Sequence, residues 1–564
     1  MNPTRRLFAL ALVLIMALSG CSSNQATIII VQPSPMPDGY AEAGLYSPGD
    51  ESYYQASDAS AGVTQPEVEN QVITPAQPDN YADVNYGIVV GSDVIINPLN
   101  CAYRDVFAVN ELVFESLVEL DESLKPQPLL AERWSADGRE WTFTLRSNIQ
   151  FHNGQALTAL DVVASYEKIL ENQSPRWYGL VSRLIEGMTA EDDQTLVVRS
   201  ANRGYMLLYA MTFPIVQRNT LDDSLPMGTG PYWYTAYSAG ASLRLEANPM
   251  WWRRASGYVQ SINVLFYRNS QAALTGLDLG EIDTIATEYP TAALNRGLTD
   301  RTSIDFSTQS YECIVPNLES TKLSDINVRR AIMYAIDRTT LVDTVYAGMA
   351  QESEVPVIPG SWLYDPQSAQ FNYNPERALQ LLYNAGWYDR DQNGVLEKEI
   401  NGVTLTMTLN LITYDKGNTA TRSEAISLIA KQLSRVGISV TVETRTASEV
   451  KNAVERGNFD LALCSFELSE IPELSFLLAS TGSSNYSSYD NVTMNGYLAA
   501  AYNAATADEL ESALSQVQLK VVEDLPILGL FFRSGVLVST SGVSGLTGTR
   551  QYDVLRGMAT ATIG

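Results

Sequence analysis

Hydrophobic and polar positions follow two rhythms along the 564 residues. From about Gly87 short strands dominate. "GIVVG" (Gly87–Gly91) predicts a strand, and "ELVFESLVEL" (Glu111–Leu120) has the spacing of an amphipathic helix. In "EWTFTLRSNIQFHNG", Trp141, Phe143 and Leu145 alternate with polar residues, as do Ile149 and Phe151. Two strands are predicted there, ending in an Asn153-Gly154 turn. Thr158, with Asp161 three residues on, predicts a capped helix through "ALDVVASYEKIL".

The second half reads differently. "VTLTMTLNLITY" alternates as a strand, a helix runs from about Ser423 to Val436, and Gly437 closes it. "ISVTVET", "ASEVKNAVERG" and "FDLALCSF" then predict strand, helix and strand. Such βαβ units imply a parallel sheet with helices on its faces. Ligands of these sheets bind beyond the carboxyl ends of the strands, which points to Ser465–Glu473. Two further helices carry clear signals. Asp325 caps one whose Val328, Ala331, Ile332, Ala335 and Ile336 form an apolar face. Asn374 and Pro375 open another that Gly386 stops.

The N-terminus has its own pattern. Arg5 and Arg6 precede an apolar run, Leu7–Leu18, which is too short for the ~20 residues of a membrane span. It fits a secretory signal. "LSGC" (Leu18–Cys21) resembles a bacterial lipobox, so residues 1–20 are expected to be removed and Cys21 to carry the lipid anchor. Residues 22–81 are rich in Pro, Ser, Asp, Gln and Ala without periodicity, the composition of a flexible tether. No other stretch holds 18 consecutive apolar residues. The body is therefore expected outside the cytoplasm, on the outer face of the cell membrane.

The formal charge of −27 argues against nucleic acid or anionic lipid as a partner of the body. Beside Cys21 stand Cys101, Cys313 and Cys464, far apart in sequence and in apolar contexts. They imply no disulfide framework and read as buried small hydrophobes. The one histidine, His152, lies at a strand-to-turn junction without a GxSxG partner and reads as a turn residue bonded to its own backbone. There is no HExxH, no His/Cys cluster and no GxxxxGK[ST] loop, so zinc chemistry and ATP hydrolysis have no basis here. No cofactor is expected, with one candidate cation loop. In "DRDQNGVLEKE", Asp389, Asp391, Asn393 and Gly394 match the opening of an EF-hand-like Ca²⁺ loop. The twelfth position is Ile400, and Glu397 and Glu399 are only nearby, so an Asx-rich turn competes with Ca²⁺ binding.

Several segments in order resemble the family-5 extracellular solute-binding proteins of ABC importers, the oligopeptide-, dipeptide- and nickel-binding group. They are "INPL", "ELVFESLVELDESLKPQPLLAERW", "EWTFTLRSNIQFHNGQALTALDVVASYE", "GTGPY", "ANPMWW", "GEID", "NVRRAIMYAIDR" and "YNPERALQLLYNAGW". The resemblance covers about residues 87–535. It implies an α/β, two-lobed periplasmic-binding-protein-like fold (type II, Venus-flytrap) with an extra subdomain inserted in the first lobe. The first lobe would span 82–305, with the insertion at about 111–218, and the chain would return to it at 525–564. The second lobe would span 306–524. "STQSYECIVPN" and "LPILGLFF" are the candidate crossing strands.

The resemblance further implies a monomeric receptor that performs no reaction. It would close over an oligopeptide or dipeptide and deliver it to the transmembrane subunits of an ABC permease. In peptide-binding relatives an acid just after the strand matching "FDLALCSF" holds the ligand's α-ammonium. Ungapped alignment puts Phe466, just after Ser465, on the family's common aromatic position, Ser469 on the acid's place, and Glu467 and Glu470 on either side. Tyr103 and Arg104, after "INPLN", and Asn317, in "IVPN", also fall where relatives meet ligand. Ser469 leaves other solutes open, namely an oligosaccharide, a metal chelate or a cation. A signalling or adhesion lipoprotein that kept the fold is the other class left open.

Overall fold

The computed structural model describes residues 82–253, 259–415, 420–540, 542–546 and 550–563. The signal segment, Cys21 and the tether lie outside the described residues. No helix among the described residues is long and apolar enough to cross a membrane.

Two long strands organise the body. Arg301–Pro316 and Leu528–Thr540 pair antiparallel within one eleven-stranded sheet. Their register slips between Ser307 and Tyr311, where the sheet passes from one half of the molecule to the other. Beyond the slip, Arg301–Pro316 pairs with Leu461–Glu467, which is followed in the sheet by Thr408–Tyr414 and Ser439–Arg445. Those last three strands are mutually parallel, as the βαβ rhythm predicts. On the other side, Leu528–Thr540 pairs with Thr284–Thr287, and Ala82–Val89, Val259–Tyr267, Ser242–Ala247 and Tyr232–Ser238 follow. This is a two-lobed α/β fold with two strands shared between the lobes. A separate four-stranded sheet (Ala131–Asp137, Glu140–Leu145, Thr195–Ser200, Ile185–Ala190) stands inside the stretch expected as the inserted subdomain.

The local signals account for most helix ends. Thr158 and Asp161 form the predicted capping box of Ala159–Asn172. Asp325 accepts from Asn327 N, and Asn374 from Arg377 N with Pro375 at the first helical position. Gly386 and Gly437, at φ 86° and 78°, take the left-handed conformation that ends a helix.

Four expectations fail, each for a traceable reason. Glu111–Leu120 is not a helix; the helix lies before it, at Arg104–Asn110, and only Val118–Leu120 is strand. Its carbonyls are taken by neighbours. Leu112 O accepts from Tyr232 N at 3.0 Å, Val113 O from Gly230 N at 2.9 Å and Glu115 O from Ile215 N at 2.9 Å. They are therefore not available for i→i+4 bonds. The approach is close enough that a Cβ on Gly228 would stand 2.0 Å from the Val113 carbonyl oxygen, which explains the glycine in "GTGPY". Ile149–Phe151 is a loop held by one bridge, Gln150 to Ala156, rather than a second strand. "VTLTMTLNLITY" divides at buried Met407 into Val403–Thr406, in a hairpin with Glu397–Ile400, and Thr408–Tyr414 in the main sheet.

His152 is the fourth. It binds the Gly228–Gly230 turn rather than its own backbone: Gly228 N donates to Nδ1 at 3.3 Å, and Nε2 lies 3.2 Å from Gly230 O. Burial lowers its pKa to about 4, so the ring is neutral. Glu115 grips the same turn from another direction. It accepts from Thr229 Oγ1 at 2.8 Å and from the Trp251 and Trp252 indoles at 3.2 and 3.0 Å. Burial raises its carboxyl to about 7 against those donors.

Candidate functional site

The three parallel strands end at one edge, and the side chains there meet groups from the first lobe. Leu461–Glu467 leads into the loop carrying Ser469, Glu470 and Glu473. Thr408–Tyr414 leads to the helix Thr421–Ser434, whose first turn carries Arg422. From the first lobe come the helix Arg104–Asn110, the Arg176-Trp177 pair and a C-terminal turn at Arg550–Asp553.

Glu467 and Glu470 are both brought to this edge. Glu467 Oε1 accepts from Gln551 Nε2 at 3.0 Å, and Gln551 Oε1 accepts from the backbone N–H of Gln309 on the crossing strand. Glu470 Oε2 accepts from Arg176 Nη2 at 3.4 Å, and Arg176 also lies 3.6 Å from Glu111. The Arg176 guanidinium stands 4.1 Å from the Tyr552 ring centre and 4.3 Å from that of Trp177. Arg183 adds a contact to Glu473 at 3.5 Å. Desolvation by the surrounding protein raises the Glu111 carboxyl although its side chain stays 38% exposed, and Arg176 opposes the rise. Burial also raises the Tyr552 phenol, with Glu467 adding to it. Tyr552 itself sits at φ 69°, a left-handed position that a non-glycine residue holds at a cost.

Arg104 belongs to the same neighbourhood. It pairs with Glu288 and lies 3.6 Å from Asp105. Burial alone would lower its guanidinium, but Glu288 and Asp105 outweigh that and hold it above its ordinary value. Two cavities flank this ground. Arg104, Gln551 and Tyr552 help line one, and Glu111 and Arg176 the other. Each holds about 10 Å³, about enough for a single water.

Other predicted residues lie elsewhere or do something else. Ser465 is buried, with Oγ 3.2 Å from Ser310 Oγ. Phe466 points to the opposite face of its strand and packs on Phe476 and Tyr486, with ring centres 6.5 and 6.4 Å apart. Its place is the second-lobe core. Ser469 is exposed and turns back on Ile471, whose N–H donates to Oγ at 3.0 Å. Asn317 is far from the edge. It pairs near the start of Leu461–Glu467 and donates to Gly457 O and Phe459 O at 3.1 and 3.0 Å. At ~3.3 Å per residue, the seven steps from Ser310 put it roughly 20 Å away. Its role is to fasten a loop. Tyr103 Oη donates to Asp93 at 2.8 Å, in front of the Arg104 helix.

The Asp389 loop folds as an Asx-rich turn. Asp389 accepts from Asn393 N and Gly394 N at 3.1 Å each, and Asn393 Nδ2 donates to Asp391 at 2.8 Å. Gly394 supplies the sharp bend at φ 88°. No group of three or more His, Cys, Asp or Glu placed to hold a metal ion occurs among the described residues.

Unforeseen in the sequence are Arg176, Gln551, Glu288 and the pair Glu312–Arg422. That pair is buried, 2.9 Å apart, with Arg422 stacked 4.3 Å from the Tyr414 ring centre. Burial opposes the Arg422 charge, and Glu312 more than restores it. A signal for Arg422 existed: it opens the helix after a parallel strand, at the edge where such sheets bind ligands. Gln551 carried none.

Against known families, the description "Bacterial extracellular solute-binding proteins, family 5 Middle" matches residues 125–488. The oligopeptide-binding protein AppA of Bacillus subtilis is 23% identical over 483 residues, covering 81% of this chain and 87% of that protein. The dipeptide-binding protein DppE of the same organism is 23% identical over 475 residues, covering 77% and 84%. Among solved structures, a nickel ABC transporter from Bacillus halodurans superposes with a TM-score of 0.74 at 21% identity, covering 85% of this chain and 100% of that one.

Proposed function

Because the chain belongs to the bacterial extracellular solute-binding proteins of family 5, we propose that it captures oligopeptides or dipeptides between its two lobes and hands them to an ABC permease. Membership makes it an extracytoplasmic binding receptor rather than an enzyme. In this reading the lobes comprise 82–305 with 525–564, and 306–524, with 111–218 inserted in the first. Lipid on Cys21 holds the receptor at the outer face of the membrane, and the tether of residues 22–81 lets a monomeric body move.

The observation that carries the reading is the meeting of Glu467 and Glu470 with Gln551 and Arg176 across the lobes. Two carboxylates, one bonded by an amide and the other by a guanidinium, have partners that a peptide's amide and ammonium groups can replace. The names of AppA and DppE favour the same ligand class. Ligand entry then requires the lobes to part, since the cavities beside these residues hold about 10 Å³ each. Closure around a guest is the hinge motion such a fold allows.

Thermal unfolding with pools of di- to pentapeptides tests this. A bound peptide raises the melting temperature, by RT ln(1 + [L]/Kd) in free energy. Glu467→Gln with Glu470→Gln should remove the shift for free-amine peptides. Stabilisation by no peptide pool would reject the peptide reading. A second reading, a metal chelate, is favoured by Ser469, which is exposed and turned back on Ile471 where peptide-binding relatives place an acid. Stabilisation by nickel with free histidine, and by no peptide, would select it.

A further inference from the structure

The crossing strand Arg301–Pro316 and the strand Leu461–Glu467 run antiparallel, and their register sets Cys313 directly opposite Cys464. Both thiols are free and fully buried. The flanking bonds define the kind of pair. Leu468 N donates to Gln309 O, and Asn317 N to Asp460 O, each at 2.9 Å. Hydrogen-bonded pairs recur at every second position of an antiparallel ladder. Residues 309, 313 and 317 share that phase, so Cys313 and Cys464 form such a pair. Their Cα atoms are then about 5.5 Å apart, within the roughly 4.4–6.8 Å that disulfides span. We propose that Cys313 and Cys464 are a thiol–disulfide site, a cross-strand bond joining the crossing strand to the strand that presents Glu467.

Three points shape how the site works. First, the family is extracellular, and disulfides form and persist outside the cytoplasm. A small disulfide such as oxidised glutathione supplies the oxidant. One cysteine thiolate attacks it, releasing one thiolate product. The second cysteine then displaces the other, so two protein thiols become one S–S bond and the small disulfide becomes two thiols. Second, burial raises the Cys464 thiol to about 12 and the Cys313 thiol well above its usual value, with Cys464 adding to the latter. The folded pair therefore offers little thiolate, and exchange takes place while the chain folds or when these strands part. Third, facing Cβ atoms stand about 4.5–5.5 Å apart, whereas a disulfide brings them to about 3.8 Å. A hydrogen-bonded pair lies toward the wide end of that range, so the strands must draw in by roughly 1–1.7 Å and the bond is strained and readily reduced. Cys101 takes no part: its Sγ lies 3.9 Å from Pro98 O and 3.7 Å from Asn110 Nδ2, in the first lobe.

The full chain, unfolded under reduction and refolded with reduced and oxidised glutathione, is denatured and alkylated with N-ethylmaleimide. Half the sample is reduced beforehand. Mass spectrometry should count two fewer adducts without reduction, and digestion should yield the Cys313 and Cys464 peptides joined. Cys101→Ser should keep the two-adduct difference, and Cys313→Ser and Cys464→Ala should each abolish it. Equal counts with and without reduction, glutathione adducts in place of a crosslink, or a bond to Cys101 would overturn the proposal.

Discussion

Two places in the molecule gather carboxylates against cationic or N–H donors, and they are built in opposite ways. At the Gly228–Gly230 turn, Glu115 and His152 are buried, and Thr229, Trp251, Trp252, Gly228 and Gly230, which bond them, all come from the first half of the chain. At the edge between the lobes, Glu467, Glu470 and Glu473 take Gln551, Arg176 and Arg183 from the other lobe, and the ion pairs are long, at 3.4 and 3.5 Å. The first arrangement is a fastening. The second is the set of contacts that the proposed opening of the lobes would break. Carboxylate clusters in this fold are thus told apart by whether their partners move with them.

Breaking a fastening should cost most. The buried pair Glu312–Arg422 belongs with the fastenings by its burial. Arg422→Met should destabilise the protein by about 3–5 kcal/mol, because it leaves an uncompensated buried carboxylate. Adding Glu312→Leu should recover much of that loss. Urea midpoints of the two variants check this; equal loss in both would show that packing, not charge, holds the site.

The pH dependence should separate Glu115 from His152 by sign. His152 falls from 6.5 to about 4 on folding. Its contribution is complete above the unfolded value and is lost as pH falls from about 6.5 to 4, by about 3 kcal/mol in total. Glu115 rises from 4.5 to about 7. Its contribution is present below the unfolded value and is lost as pH rises from about 4.5 to 7, again by about 3 kcal/mol. In wild type the two slopes oppose each other over this window. His152→Asn should therefore leave stability falling with rising pH, and Glu115→Gln should leave it rising. Chemical unfolding across pH 4–8 reads both slopes; parallel profiles for the two variants would contradict the assignment.

The moving contacts should behave otherwise. Arg176→Ala removes the links to Glu470 and Glu111 and the contacts with the Trp177 and Tyr552 rings. The Arg176–Glu470 pair is mostly buried, at 12% and 15% exposure, so the loss should lie between the ~0–1 kcal/mol of an exposed pair and the about 3–5 kcal/mol of a fully buried one, while the radius of gyration in X-ray scattering grows. A large loss of stability with no expansion would move Arg176 into the fastening class. Asp389→Ala should matter least, within about 0.5 kcal/mol, since its two hydrogen bonds lie in an exposed turn where water can replace them. Thermal unfolding with and without Ca²⁺ reads it.

Much of the scaffold was legible because local rules settled it: the Thr158–Asp161 box, the Asp325 and Asn374 caps, and the βαβ rhythm up to Glu467. The failures arose where distant chain decided. Glu111–Leu120 has helical spacing, yet Gly230, Tyr232 and Ile215 take its carbonyls. The site was legible by half. Topology pointed to the loop after Leu461–Glu467, and both flanking glutamates are there. Asn317 matched a motif but sits at the other end of its strand, and Phe466 matched a position but faces the core. Gln551 and Arg176 reach the edge only through folding, so neither spacing nor composition marked them.

Closure of the two lobes on a solute at this edge can be measured directly. Spin labels at Leu294→Cys and Val492→Cys, 77% and 85% exposed in the first and second lobes, would report it by pulsed dipolar distance measurement. The protein alone should give a broad or two-peaked distribution, collapsing to a single shorter distance on adding the peptide pool that raises the melting temperature. An unchanged distribution with a pool that demonstrably stabilises the protein would contradict it.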